Sequence, residues 1–233
     1  MCTIICIHHP NDDYRVLFLE NRDRPVEGFQ GNDVRVIGYS RLLCIFDYRS
    51  QGVAAGYNLS TGVFGGVANI QGYSGTESRG HILKKALNEA KTGNEALEIV
   101  TDAVKTGRYS SGVYLLGDTS GSYTVENFNE EVHIDWNDRV HIVTNRFTHL
   151  KLGTAHPSAA ARHTTVRRWT ASTPFTLERM MRLGQNHRGQ GAVCRHGYTL
   201  SNLVVAVREH GFVPEIYYVM GEPCSGYQRF MLA

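Results

Sequence analysis

The sequence predicts an α+β fold, a four-layer αββα sandwich in which two mainly antiparallel β-sheets lie between two layers of helices. Three observations support this prediction. Short apolar segments bounded by Gly, Pro, Asn and Asp occur in blocks at the start, in the middle and at the end of the chain, which is typical of strands. Between these blocks the apolar residues recur at helical spacing, in two pairs of segments. No linker or repeat divides the chain, so we expect one domain over residues 1–233.

The first block begins with two apolar segments, 3–8 and 14–20, which are rich in Ile, Val, Leu and Phe. Residues 10–13, Pro-Asn-Asp-Asp, have the composition of a turn, so the two segments predict a hairpin. Further strands are predicted at 34–38, 42–47, 52–57 and 63–69.

Helical periodicity then replaces the strand pattern. Ser78 is expected to cap a first helix that Gly93 ends, and Asn94 to cap a second helix that Gly107 ends. The apolar stripe of the first helix consists of Ile82, Leu83, Ala86, Leu87 and Ala90.

A second pair of helices is predicted at 158–171 and 176–186, each starting near a proline, Pro157 or Pro174. The remaining strands are predicted at 111–117, 121–127, 130–135, 139–144, 202–208, 214–220 and 227–232.

Composition excludes several classes of function. The 24 Lys and Arg residues nearly balance the 22 Asp and Glu residues, which predicts no affinity for nucleic acid or for a membrane surface. The first residues have no basic region and are not a secretory signal. The five cysteines are odd in number and include no CxxC pair, which favours reduced thiols in the cytoplasm. The sequence is compatible with a homo-oligomer.

The second residue of the chain is a cysteine, Cys2. Aminopeptidases remove an initiator Met before a small residue, so we expect Cys2 to become the amino terminus. Its α-amine, with a pKa near 7.7–8.0, can then take the proton of its own thiol, whose pKa lies near 8.5. The same position also fits a small apolar residue at the start of an edge strand, as Cys6 does on the same strand face.

The segment that follows the predicted hairpin contains an Asn-Arg-Asp triplet, residues 21–23. A Met-Cys start combined with this triplet resembles the N-terminal nucleophile (Ntn) hydrolases of two related groups. One group contains the choloylglycine hydrolases and the acyl-coenzyme A:6-aminopenicillanic acid acyltransferases. The other contains the NRDE-motif proteins, relatives of the transport-and-Golgi-organisation protein. Further similar segments follow in order at 65–69, 78–83, 142–147, 193–197 and 223–224.

The resemblance implies the αββα fold and a set of site residues. It implies that Cys2 is the nucleophile and that Asp23 orients its amine. It also implies that Asn69 and Asn145 hold the oxyanion or the amine. Arg22 is expected to hold Asp23 or to line the site. From the residues alone, Asp23, Asn69 and Asn145 also fit turn positions.

The sequence departs from the patterns of these families at two positions and offers one further candidate site residue. Choloylglycine hydrolases have an arginine three residues before the motif aspartate, where this chain has Glu20, and the NRDE motif ends in Glu where this chain has Arg24. These departures argue against recognition of bile-salt-type substrates. Choloylglycine hydrolases also have a late catalytic arginine, for which Arg195 is the candidate. Arg79 fits either a site residue or a solvated residue in the first helical turn.

The sequence predicts neither a metal nor an organic cofactor. The 11 histidines form no HExxH motif, and the pair Cys194 and His196 is half of a metal site without a second pair nearby in sequence. The glycine-rich run 62–75 lacks the pattern of a phosphate-binding loop.

The first functional hypothesis is an enzyme that cleaves a small non-peptide linear amide, or transfers its acyl group, through a thioester on Cys2. Its partner would be the amide substrate alone. The alternative is a non-catalytic protein of the same fold that binds a small ligand, such as an acyl compound or haem.

Overall fold

The computed structural model describes residues 2–24, 34–39, 41–210 and 213–231. Its four helices are α1 (Arg79–Glu89), α2 (Gly93–Val104), α3 (Ala159–Thr170) and α4 (Leu177–Gly184). Its strands are β1 (Cys2–His8), β2 (Tyr14–Asp23), β3 (Val34–Tyr39), β4 (Leu42–Asp47), β5 (Gly52–Asn58), β6 (Phe64–Asn69), β7 (Gly112–Asp118), β8 (Gly121–Phe128), β9 (Glu131–Asn137), β10 (Val140–Thr144), β11 (Thr199–Arg208), β12 (Glu215–Met220) and β13 (Gln228–Phe230).

The strands form two sheets, and every strand pair within them is antiparallel over the described residues. The first sheet has the order β10-β1-β2-β11-β12-β13, and the second has the order β3-β4-β5-β6-β7-β8-β9. The first sheet therefore joins the two ends of the chain, because β1 and β2 lie beside β11 and β12.

Three apolar clusters define the layers. One cluster lies between the two sheets and includes Ile4, Phe18 and Leu115. A second packs α1 and α2 against the outer face of the second sheet, and a third packs α3 and α4 against the outer face of the first sheet. The order of layers is thus helices, sheet, sheet, helices. The predicted α+β class and four-layer αββα sandwich are confirmed.

Two strands of the first sheet are longer than predicted. The strand β2 continues to Asp23, and β11 already begins at Thr199. The two extensions pair with each other, since Thr199 lies opposite Asp23. The Asn-Arg-Asp triplet is therefore part of a strand and does not follow it. Cross-strand pairing overrides the turn preference of Asn and Asp. The prediction of a last strand over 227–232 ends outside the described residues.

The start of α2 also differs from the prediction. Thr92 is the N-cap in place of Asn94, and Gly93 is the first helical residue. The Thr92 hydroxyl accepts a hydrogen bond from the backbone N–H of Glu95 at 3.1 Å, and Glu95 accepts one from the N–H of Lys91 at 2.8 Å. These two bonds resemble a capping box, which fixes the helix start two residues earlier than Asn94 would.

Close backbone contact seats α1 on the second sheet. A Cβ atom added to Gly80 would lie 2.9 Å from the carbonyl oxygen of Val53, and one added to Gly52 would lie 2.9 Å from the Gly80 backbone. Only glycines allow this approach. The contact fixes the first turn of α1, which carries Arg79. None of the helices in the described ranges has the length and apolar character needed to span a bilayer.

The helix layer on the second sheet is expected to depend on Leu83, which is fully buried in α1. Leu83→Ala should lower the free energy of unfolding by about 2–5 kcal/mol, because it removes buried surface and leaves a cavity. Lys85→Ala on the exposed side of the same helix should change it by less than about 0.5 kcal/mol. Urea unfolding of the two variants measures the difference, and equal losses would contradict the predicted packing.

Candidate active site

The predicted nucleophile lies at the start of β1, on the face that points between the sheets. Cys2 is fully buried, and its cross-strand partner on β2 is Arg22. Because side chains alternate along a strand, Glu20 and Arg22 share the inner face with Phe18, whereas Asn21 and Asp23 point to the helix side. The register of β1 and β2 thus brings Arg22 to the thiol.

Arg22 links the two sheets at this point. Its Nη1 donates to the Cys2 Sγ at 3.3 Å, and its Nη2 donates to the Asp47 Oδ2 at 3.1 Å. Asp47 ends β4 in the opposite sheet, is buried, and also pairs with Arg24 at 3.1 Å. Burial alone would raise the pKa of Asp47, but the two arginines hold it below its usual value. Asp47 therefore keeps its negative charge and fixes the Arg22 guanidinium.

The Arg22 charge sets Cys2 apart from the other buried thiols. Burial acts to raise the pKa of Cys2, but the Arg22 charge, the positive charge of the amino terminus and the Arg22 hydrogen bond together outweigh it, and the pKa is lowered. Burial raises the pKa of Cys6 and of Cys44 to about 12. Cys2 is therefore the buried thiol whose environment most favours the thiolate, which is the nucleophilic form of cysteine.

Asn145, directly after β10, holds the backbone of Cys2. Its Oδ1 accepts from the Cys2 nitrogen at 2.6 Å, and its Nδ2 donates to the backbone carbonyl of Asn69 at 2.8 Å. Asn69 ends β6 in the opposite sheet, so this bond also crosses between the sheets. The Asn69 side chain is half-buried and lines the adjacent cleft. The two asparagines are thus brought together on one side of Cys2.

Arg162 in α3 contacts the same group, although no motif in the sequence marks it. Its Nη1 donates to the Cys2 carbonyl at 2.7 Å and to the Thr3 hydroxyl at 2.8 Å, and its Nη2 donates to the Asn145 Oδ1 at 2.9 Å. Its side chain is fully buried. A sequence signal existed, because Arg162 shares a helical stripe with Ala159 and Val166, where an apolar residue is expected.

Asp23 lies on the helix side of β2 and is fully buried. Its Oδ1 accepts from the Thr199 hydroxyl at 2.7 Å. Burial raises the pKa of Asp23, while the Thr199 bond and the charges of Arg162 and Arg195 act in the opposite direction. The Asp23 charge in turn acts to raise the pKa of Cys2. The structure therefore brings Asp23 into the electrostatic environment of the thiol.

Arg195 approaches from the segment before β11. It is half-buried, its guanidinium lies over the Tyr198 ring at 4.6 Å, and its backbone N–H donates to the Thr199 hydroxyl at 2.8 Å. The structure thus brings the positive charge of Arg195 near Asp23, whose pKa it acts to lower.

A cleft of about 540 Å³ opens beside these residues. Its lining is cationic and aromatic and includes Arg24, Arg79, Tyr73, Tyr198 and His156, together with both asparagines. Arg79 is half-buried and donates to the Ser111 carbonyl at 2.8 Å, and burial lowers its pKa to about 10. It therefore belongs to the cleft and is not a fully solvated residue. The volume suits a small ligand.

Glu20 is the most unusual group near the thiol. It is fully buried, and neither carboxyl oxygen has a hydrogen-bond partner of good geometry among the described residues. Burial raises the pKa of Glu20 well above its ordinary value, and the Cys2 charge adds to this rise. This environment therefore favours the neutral form of the carboxyl, next to the Cys2 thiol.

The architecture of two antiparallel sheets enclosed by helix pairs is consistent with the sandwich fold of Ntn hydrolases. Among solved structures, the chain is similar to penicillin V acylase from Agrobacterium tumefaciens, with a TM-score of 0.52. The similarity covers 94% of this chain and 86% of that chain at 11% sequence identity, so it shows the fold alone. No family model and no curated protein matches the sequence.

The neutral Glu20 predicts a measurable dependence of stability on pH. Above the unfolded-state pKa, near 4.3, the unfolded chain releases this proton and the folded chain keeps it, so rising pH destabilises the fold. Glu20→Gln keeps a neutral side chain and removes this pH dependence of the free energy of unfolding. The stability of the variant relative to the wild type should therefore rise with pH, by about 1.4 kcal/mol per pH unit until Glu20 ionises in the fold.

Urea unfolding of both proteins from about pH 5 to pH 8 measures this difference, and Glu89→Gln, an exposed position in α1, is the matched control. Parallel stability curves for wild type and Glu20→Gln would show that Glu20 is charged in the fold.

Proposed function

We propose that the protein is an N-terminal cysteine amidohydrolase, which cleaves a small non-peptide linear amide through a thioester on Cys2. The observation that carries the proposal is the contact of the Cys2 thiol with the buried, Asp47-paired Arg22, with Asn145 on the Cys2 nitrogen. This arrangement favours the thiolate over the thiol. The Ntn hydrolase fold and the similarity to a penicillin V acylase support the same class.

The reaction begins with the removal of Met1, which lies outside the described residues. The Cys2 nitrogen then becomes a primary amine that can take the thiol proton, which an amide nitrogen cannot do. Asn145 Oδ1 would accept one amine N–H and leave the lone pair for this proton. Arg162 would hold both Asn145 and the Cys2 carbonyl, so that the amine keeps its orientation toward the thiol.

The thiolate then attacks the carbonyl carbon of the amide, and the carbonyl oxygen becomes an oxyanion. The Asn69 side chain lines the cleft on the side of Cys2 and is the proposed donor to this oxyanion. When the tetrahedral intermediate collapses, the C–N bond breaks and the ammonium group of Cys2 gives its proton to the leaving amine. The acyl group remains on sulfur as a thioester.

Water completes the reaction. The free amine of Cys2 takes a proton from the attacking water, the thioester C–S bond breaks, and the carboxylic acid leaves with the thiol restored. A second amine or thiol in place of water would give acyl transfer by the same steps.

The cleft lining favours a particular kind of amide. Arg24 and Arg79 offer positive charge, and Tyr73 and Tyr198 offer aromatic surface. An amide that carries a carboxylate and an apolar or aromatic group would complement both features. Penicillin V has these groups and is a suitable first member of an amide panel.

The amino terminus provides the first test. Protein purified from its native host should have an intact mass that lacks one methionine. Iodoacetamide should then label Cys2 faster than Cys6 or Cys44, because all three are buried and Arg22 lowers the pKa of Cys2 alone among them. The latter two thiols are the internal controls. Retained Met1 would sink the proposal, since the proton acceptor would be missing.

Turnover of an amide hit provides the second test. Cys2→Ala should abolish turnover, and Asn69→Ala should lower kcat by about 10²–10³-fold if the amide side chain stabilises the oxyanion. Cys44→Ala, which lies away from the site in the helix-facing cluster, should keep wild-type kcat. Full activity of Cys2→Ala would eliminate the nucleophile assignment. Ligand binding without turnover in any member of the panel would favour the non-catalytic alternative.

A further inference from the structure

A second group of ligand-type side chains lies away from the Cys2 thiol, where two segments of the chain meet. His187, Cys194 and His196 belong to the segment between α4 and β11, and Cys224 lies in a 3-10 turn, Pro223–Ser225, after β12. The ligand atoms of His187, His196 and Cys224 all lie within 4.8 Å of one another. The Cys194 Sγ lies outside this group of three but only 3.7 Å from the Cys224 Sγ, so a small movement of its segment would bring it to an ion held by the other three.

We propose that these four side chains bind one Zn²⁺ ion. Two thiolates and two imidazoles form a ligand set that Zn²⁺ takes in tetrahedral structural sites. With Zn–S bonds of about 2.3 Å, two sulfurs in such a site are about 3.8 Å apart, close to the spacing of Cys194 and Cys224. The sequence showed only the pair Cys194 and His196, and the fold adds His187 and Cys224.

The histidines present usable nitrogens. His187 Nδ1 lies 3.2 Å from the Gln185 carbonyl oxygen, which can only accept a hydrogen bond. Nδ1 therefore carries the proton and Nε2 keeps the lone pair that a metal needs. His196 Nε2 already lies 3.1 Å from the Cys224 Sγ, so these two atoms need little movement to share an ion.

Glu222 adds negative charge beside the four ligands. Its Oε2 lies 3.6 Å from His196 Nε2, and its Oε1 accepts from the backbone N–H of Gly197 at 2.8 Å. It thereby holds the His196 segment against the Cys224 turn in the absence of an ion. Cys194 is buried, whereas His187, His196 and Cys224 are exposed, so an ion can enter from solvent.

The proposed ion would fix the segment between α4 and β11, which leads to the residues around Asp23. In sequence, Arg195 lies between the ligands Cys194 and His196. Thr199 follows three residues after His196, and its hydroxyl donates to Asp23. Binding would release the two thiol protons to solvent, and it should therefore weaken as the pH falls. The role is structural, because all four ligand positions are filled by protein.

The test uses the full chain, reduced and treated with a chelator, with Zn²⁺ alone as the probe. Equilibrium dialysis with elemental analysis should give one zinc per chain. Co²⁺ in place of Zn²⁺ should give thiolate-to-metal charge-transfer absorption. Cys224→Ser and His196→Ala should each weaken zinc binding on the order of 100-fold or more, since even outer-shell changes cost 10–100-fold. Zinc should raise the Tm of the wild type and not that of Cys224→Ser.

Two variants control for adventitious binding. His149→Ala breaks a stacked histidine pair elsewhere, with His133 at 4.0 Å between ring centroids, and should keep one zinc per chain. Cys44→Ala should do the same. Far-ultraviolet circular dichroism checks that each variant is folded.

Zinc content that is unchanged in both Cys224→Ser and His196→Ala would overturn the proposal. So would the absence of tight zinc binding by the reduced wild type, or a Cys194–Cys224 disulfide in reduced, zinc-treated protein. None of these measurements uses a substrate, so their result is independent of the proposed amidohydrolase activity.

Discussion

The rest of the site depends on the contacts that the Arg22 guanidinium makes. It lies in a buried region, touches the Cys2 sulfur on one side, and pairs with Asp47 on the other. Without Asp47 the guanidinium would be a buried charge with less compensation, and loss of one partner of a buried pair commonly costs about 3–5 kcal/mol. With Asp47 in place, the positive charge of Arg22 is available to stabilise a thiolate. The lowered pKa of Cys2 therefore depends on a residue of the other sheet.

Packing of the two sheets sets the geometry of the site for the same reason. Arg22 belongs to β2 and Asp47 to β4, while Asn145 follows β10 and Asn69 ends β6. The Arg22–Asp47 and Asn145–Asn69 contacts thus cross from one sheet to the other near the ends of strands. The apolar cluster between the sheets holds the distance, and interiors of this density resist small shifts. A sliding of one sheet would break both contacts at once.

The sequence was sufficient for those features that depend on local pattern. The approximate strand and helix positions, the fold class and the cap at Ser78 follow from periodicity and turn residues, and the structure agrees with them. The extent of β2 did not follow, because pairing with β11 extends it to Asp23. Cys2, Asn69 and Asn145 came from motifs at strand ends. Asp47 and Arg162 could not come from motifs, since each becomes a site residue only when a separate element packs against β1 or β2. For the same reason, the sequence did not place His187 and Cys224 beside Cys194 and His196.

Glu20 influences how charge is distributed around the Cys2 thiol. Arg22 lies two residues further on the same strand face, so an arginine at residue 20 would put two guanidinium groups near one thiol, with Asp47 as the buried counter-charge. A neutral carboxyl at this position avoids that repulsion and leaves Arg22 as the cation in direct contact with Cys2. Further positive charge lines the cleft, on Arg24 and Arg79, where a ligand can meet it. The charge in contact with the thiol and the charge that lines the cleft are thus carried by different arginines, and Asp47 couples Arg22 to Arg24 because it pairs with both.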